Sequence, residues 1–135
     1  MDEQNTFSVV LFSGTDDKLS ATAVLVAGAA AMGRSVNLFL QYWALDAFRT
    51  DRIEKDHGVS AEAGPEGAEL MARHSQQHWS EVLRQSKEIG EVGIHACALS
   101  MEMFEITKDD LDPLVDDVEG VASFMAEATG PVAFI

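Results

Sequence analysis

Three short runs of apolar and β-branched residues, each ended by a turn signal or a helix start, constrain this chain more than any other feature. Residues 7–12 (FSVVLF) end at Ser13-Gly14-Thr15, residues 35–41 (SVNLFLQ) run into Tyr42, and residues 92–97 (VGIHAC) run into Ala98. Runs of this length between turn signals read as buried strands. Between the first two, residues 18–32 are rich in alanine and stop at Gly33, which predicts a helix that can approach a sheet closely. Thr15, Asp16 and Asp17 precede it as cap candidate and first-turn acids. Residues 42–52 read as a short helix, and residues 53–67, with Gly58, Gly64, Pro65 and Gly67, as a loop. Residues 68–89 read as one amphipathic helix with Leu70, Met71, His74, His78, Val82 and Ile89 as inner positions and Gly90 as its stop. Short helices are expected at 98–104, at 107–114 (Thr107 as cap, Asp110 three residues on) and at 120–128, with short strands at 115–118 and 131–135. Strands alternating with helices predict an α/β fold: an open, mainly parallel sheet of about five strands with helices on both faces. In such sheets function gathers at the carboxyl ends of the strands, where Ser13-Gly14-Thr15, Gln41-Tyr42-Trp43 and Cys97-Ala98 should meet.

A chain of 135 residues with 47% apolar content is expected to form one domain spanning 1–135. Its 23 acidic residues against 9 basic ones give a formal net charge of −14, which repels phosphate backbones and anionic lipid. Nucleic acid and membrane surfaces are therefore not expected partners. The same surplus fits either a soluble protein whose charge aids solubility or, with only four lysines, one from a salt-rich cytoplasm in which self-repulsion is screened. The acidic, polar start MDEQNTF is not a signal peptide, and the longest apolar stretch, residues 21–32, falls short of the roughly 20 residues that span a bilayer. A cytoplasmic protein is the natural expectation.

The single cysteine, Cys97, excludes an internal disulfide, a CxxC redox pair and a cysteine-only zinc cage. It is expected where the third strand turns into a helix, and a thiol at a helix N-terminus is favoured as thiolate, the form that attacks sulfur. His95, two residues earlier, lies on the same face of that strand and is a candidate modulator. Against this, free cysteine is among the most buried residue types and acts as a small hydrophobe. Ser13, Gly14, Thr15, Trp43 and Ser100 are candidate pocket residues at the strand ends, although Asp16 and Asp17 oppose an anion there. No GxxxxGK[ST] or GxGxxG pattern occurs, and no cofactor is assigned. His74 and His78 are spaced i, i+4, and a zinc site can be drawn with His95 and Cys97. No HExxH pattern supports it, a polar helix face explains the pair equally well, and no metal is assigned. Trp43 and Trp79 read as core or interface anchors more readily than as pocket walls, and Met101 and Met103 beside Phe104 read as packing.

The stretches Phe12-Ser13-Gly14-Thr15-Asp16-Asp17-Lys18, Gly28-Ala29-Ala30-Ala31-Met32-Gly33, Phe39 with Trp43, Leu45 and Arg49, and Gly120-Val121-Ala122-Ser123-Phe124 together resemble the DsrE/DsrF-like sulfur-relay proteins, in particular the subgroup often labelled peroxiredoxin-like. The most specific is Ala96-Cys97-Ala98-Leu99-Ser100-Met101, and the match covers nearly the whole chain apart from residues 51–67. The resemblance implies a flavodoxin-like sheet, a Cys97 that accepts and passes sulfane sulfur as a persulfide, assembly into homotrimers or homohexamers, and TusA-like carriers or rhodaneses as partners. Glu105 departs from the pattern, since the family usually has glycine there, after Phe104. A peroxidase role is poorly supported, because the chain has no second thiol to resolve a sulfenic acid. The expected activity is that of a sulfur carrier or sulfurtransferase. The alternatives are a non-catalytic oligomeric binding module with a structural cysteine, and a nucleotide or flavin pocket at the strand ends.

Overall fold

The computed structural model describes residues 5–74 and 77–135. Five strands form one sheet: β1 (Thr6–Leu11), β2 (Ser35–Leu40), β3 (Val92–Cys97), β4 (Asp117–Glu119) and β5 (Val132–Phe134). All neighbouring strands are parallel, in the order β4-β3-β2-β1-β5. The helices are α1 (Asp16–Ala31), α2 (Tyr42–Ala47), α3 (Gly64–Arg73), α4 (Trp79–Ile89), α5 (Ala98–Met103) and α6 (Val121–Glu127). Among the described residues, no helix is long and apolar enough to cross a membrane.

The period of two in the strands sorts their side chains onto two unlike faces. Val9 and Leu11, Val36, Leu38 and Leu40, and Val92, Ile94 and Ala96 are all buried on the first face. There they join the main core with Leu19, Ala23 and Val26 of α1 and Trp79 and Leu83 of α4. The successive crossovers β1 to β2 and β2 to β3 step the same way across the sheet, so α1 and α4 lie on one side. From β4 the chain then returns past β3, β2 and β1 to place β5 on the far side of β1, and α6, on that return, packs on the second face. Its anchor is Phe124, which closes a smaller cluster with Phe39 and Cys97. Helices thus cover both faces, but unequally.

Two expectations are corrected. The helix expected over 68–89 is two helices. His74 is extended (φ −97°, ψ 98°), His78 caps α4 by accepting the Ser80 N–H on Nδ1 at 3.2 Å, and residues 75 and 76 lie outside the described ones. The inner face is also not the expected one: Leu70, Met71 and Ile89 are exposed, and α4 buries Trp79, Ser80, Leu83 and Ser86 instead. α3 buries nothing, so no packing holds it in line with α4. The second correction concerns residues 107–114, where only a 3₁₀ turn, Lys108–Asp110, forms. The expected Thr107–Asp110 pairing is present as a capping box. It closes one turn, after which Asp112 turns back to donate its N–H to the Phe48 carbonyl at 2.9 Å.

The loop over 53–63 is fastened by the two acids that open α1. Asp16 accepts the His57 N–H at 2.9 Å and the Trp79 indole N–H at 3.2 Å, and Asp17 accepts the Ser60 N–H at 3.1 Å and its hydroxyl. Partial burial alone would raise Asp17, but the hydrogen bonds from Ser60, Thr15 and Lys18 together hold its carboxyl below the ordinary aspartate value.

Candidate functional site

The carboxyl ends of β1, β2 and β3 meet as the topology requires. Ala44 donates its N–H to the Phe12 carbonyl at 3.0 Å, and Tyr42 donates its own to Ser100 Oγ at 3.2 Å. A Cβ on Gly14 would sit 2.4 Å from the Trp43 carbonyl oxygen, so only glycine lets the two loops touch. Tyr42 has φ of +45°, an unfavourable conformation for a bulky residue, at the first turn of α2. Its ring lies 4.9 Å from that of Phe12 and edge-on to Phe104. The aromatic contacts and the Ser100 hydrogen bond hold this strained turn in place.

Ser13, Gly14, Thr15 and Trp43 line one cavity of about 340 Å³, with Arg52 and His57 on its walls beside Asp46 and Asp56. Ser100 is not among its lining residues: it is buried and braces the Tyr42 turn. Trp43 is more than half exposed, whereas Trp79 is buried against Phe48.

Cys97 ends β3 and stands at the N-cap position of α5, as the position of the turn predicts. Its side chain, however, lies on the second face of the sheet with 1% of its surface exposed, packed with Phe39 and Phe124. The two rings stack at a centroid distance of 4.6 Å and 10° between planes. α5 has six residues and makes no side-chain cap bond to Cys97, so burial beneath α6 governs the thiol's access more than a short helix dipole does. α5 closes with a left-handed residue, Glu105 (φ +54°). The Ile106 N–H returns to the Met101 carbonyl at 2.9 Å and the Glu105 N–H to Glu102 at 3.3 Å, a Schellman ending. A glutamate therefore holds here a left-handed conformation that glycine adopts at less cost.

His95 shares the second face with Cys97, but its described hydrogen bonds go elsewhere. Nδ1 lies 2.6 Å from Asp117 Oδ1 and 3.1 Å from Glu119 Oε2, and Nε2 lies 3.3 Å from Asn37 Oδ1. Asp117 is the register partner of His95, and Glu119 that of Cys97. A Cβ on Gly93 would lie 2.8 Å from His95 Nε2, so the missing side chain makes room for the ring. Burial pushes Glu119 above the ordinary glutamate value; His95 opposes the rise, and Glu127 and Asp117 add to it. Sequence reasoning missed Asn37, Asp117 and Glu119. The signal was available as an Asp-x-Glu strand, residues 117–119, beside a His-x-Cys strand, residues 95–97. His74 and His78 are not joined to His95 and Cys97: the two histidines border another cavity, of about 160 Å³, with Asp16 and Trp79.

Comparison with known proteins places this geometry in context. The model of the DsrE/DsrF/DrsH-like family matches residues 3–77 and 63–131. A Bacillus subtilis (strain 168) protein, "Uncharacterized protein YrkE", is 26% identical over 147 aligned positions, covering 90% of this chain and 89% of its own. Among solved structures, the protein of unknown function MTH1491 from Methanobacterium thermoautotrophicum superposes with a TM-score of 0.57 at 19% identity, covering 96% of each chain. The superposition supports the flavodoxin-like α/β fold.

Proposed function

The chain belongs to the DsrE/DsrF/DrsH-like family, a family linked to sulfur relay, and from that premise we propose that it carries sulfane sulfur as a persulfide on Cys97. The observation that carries the reading is the placement of the only thiol at the carboxyl end of β3, inside the Ala96-Cys97-Ala98-Leu99-Ser100-Met101 stretch. The Cys97 thiolate attacks the outer sulfur of a donor persulfide. A new S–S bond forms to Cys97, the donor's S–S bond breaks, and the donor leaves as a thiolate. An acceptor thiolate then attacks the outer sulfur now on Cys97, and Cys97 leaves as thiolate. Each step exchanges one S–S bond for another, so no oxidant is needed. Before either step α6 must lift, because Phe124 covers the thiol.

The reading places the chain in the cytoplasm, as a homotrimer or homohexamer working with a TusA-like carrier or a rhodanese. Exposed Val121 and Met125 on α6, with Val132 and Phe134 on β5, supply apolar surface of the kind that subunit or partner contacts cover. His95 acts on the thiol at a distance, through the field of a ring held by Asp117 and Glu119. The cavity at Ser13, Gly14, Thr15 and Trp43 is the place for a small ligand. Asp46 and Asp56 on its walls disfavour a phosphate-bearing one.

The experiment is intact-mass analysis after incubation with a sulfane-sulfur donor. The wild type gains sulfur that reductant removes, and Cys97→Ser gains none. A wild type that stays unmodified while a known persulfide carrier loads in the same tube refutes the carrier reading. The second reading, a structural cysteine in an oligomeric binding module, has the burial of Cys97 in its favour. It predicts a thiol that reacts only when the protein unfolds.

A further inference from the structure

We propose that His95, Asp117 and Glu119 form a binding site for one first-row divalent cation, such as Mn²⁺ or Zn²⁺, on the second face of the sheet. One donor atom from each residue lies within 4.8 Å of the other two, which is the span of a three-ligand site. The donors come from adjacent parallel strands held in register, His95 opposite Asp117 with Glu119 two residues further on, so the backbone already fixes their spacing. Oδ1 of Asp117 and Oε2 of Glu119 converge on Nδ1. Something positive must stand between groups that meet in this way, either a proton on Nδ1 or a cation in its place. The second oxygen of Glu119, Oε1, is closed to solvent, and the side chain that meets this carboxyl is another acid, Glu127. A cation bound here offsets the charge of both.

The surroundings fit a ligating histidine. Asn37 Oδ1 faces Nε2 at 3.3 Å, and a ring that donates its N–H there turns the lone pair of Nδ1 toward the carboxylates. Gly93 gives the ring its place. Glu127 reaches Glu119 from α6 and adds a further negative charge beside the site. One imidazole with two carboxylates suits Mn²⁺, Fe²⁺ or Zn²⁺ better than Mg²⁺ or Ca²⁺, which favour oxygen donors throughout. Half-exposed Asp117 leaves the cation open to solvent on one side for water or a further ligand.

The test is Mn²⁺ binding followed by electron paramagnetic resonance and equilibrium dialysis on the full chain, at about 1 M potassium chloride, where loose association with surface acids is screened. The wild type is expected to bind one Mn²⁺, excess Mg²⁺ should not displace it, and Cys97→Ser should bind equally. Asp117→Asn and Glu119→Gln, close in shape to the native residues, should each weaken binding at least about 10-fold, and Asn37→Ala, behind the histidine, by about 10-fold. Glu102→Gln, on the exposed side of α5, should change nothing. A wild-type dissociation constant above about 1 mM, the range of loose carboxylate sites, overturns the proposal. So does binding that Asp117→Asn and Glu119→Gln leave intact. Because wild type and Cys97→Ser are read without sulfur donor, failure here leaves the persulfide reading standing, and the converse also holds.

Discussion

Replacing Phe124 with alanine separates access to Cys97 from global stability. Phe124 is the only buried residue of α6, and it lies flat on Phe39 in the cluster that buries Cys97. Burying a side chain of this size contributes about 1.5–3 kcal/mol, and an aromatic pair adds about 0.5–1.5 kcal/mol. The anchor is thus worth roughly 2–4.5 kcal/mol against local opening of α6. At tenfold per 1.4 kcal/mol, Phe124→Ala should raise the open population by roughly 30-fold to 1600-fold. When opening and closing are fast relative to cysteine modification, the rate follows that population. Alkylation of native protein by iodoacetamide, followed by mass, should therefore accelerate by that factor. Leu83→Ala supplies the control, because Leu83 lies in the main core under α4 and its loss lowers global stability without touching α6. If Leu83→Ala speeds alkylation as much as Phe124→Ala, the thiol is released only by global unfolding and α6 is not its cover. An unchanged rate in Phe124→Ala refutes the reasoning from the other side.

Glu105→Gly should stabilise the fold by about 0.5–1 kcal/mol, since the left-handed conformation costs an L-residue about 1–2 kcal/mol and glycine returns part of that in unfolded-state entropy; a lower denaturant midpoint in the variant refutes this. Asp17→Asn should cost about 1 kcal/mol at neutral pH by weakening charge-assisted bonds to Ser60. Because the folded-state value of Asp17 is depressed, its contribution is full above the ordinary aspartate range and is lost as pH falls through the folded value. The gap between the two proteins in denaturant melts should close in acid, and a gap constant with pH rules the linkage out. At a net charge of −14, the melting temperature should rise from dilute buffer to molar potassium chloride, where the Debye length is about 3 Å. An equal or lower value would mean that pairs such as Arg84–Asp112 and Lys87–Asp116 already compensate the surface.

The strands of the sheet were legible because burial on the first face leaves apolar residues at every second position, and tight turns bound each run. Residues 92–97 show this directly: Val92, Ile94 and Ala96 face the core, while Gly93, His95 and Cys97 fall on the other side. The carboxyl-end loops were legible for the same reason, because the strand ends place Gly14 against Trp43. The middle of the chain was not. Residues 68–89 carry a helical period throughout, but the period does not say which stripe has a partner. The tertiary contacts chose Trp79 and Leu83 and left Leu70, Met71 and Ile89 in solvent. The Asp-Asp pair after Thr15 read as first-turn acids, yet its partners are His57, Ser60 and Trp79, more than 40 residues on.

The exposure of Cys97 was the hardest feature to read, because the residue that covers it comes from a crossover. A strand-to-helix turn fixes where a cysteine sits along the chain, and the period of two fixes its face, but neither says what lies on that face. In this sheet four consecutive strands, β1 to β4, step in one direction, so their crossovers fall on the first face. The second face has only the return segment to cover it. That segment is anchored by one aromatic residue, whereas α1 and α4 bring several apolar residues each to the opposite side. The asymmetry is what leaves His95, Asn37, Asp117 and Glu119 free to pair with one another rather than with a wall of apolar side chains. On the proposed carrier reading it also makes the lightly held α6, and not the rigid sheet, the element whose movement would decide when Cys97 meets a reactant.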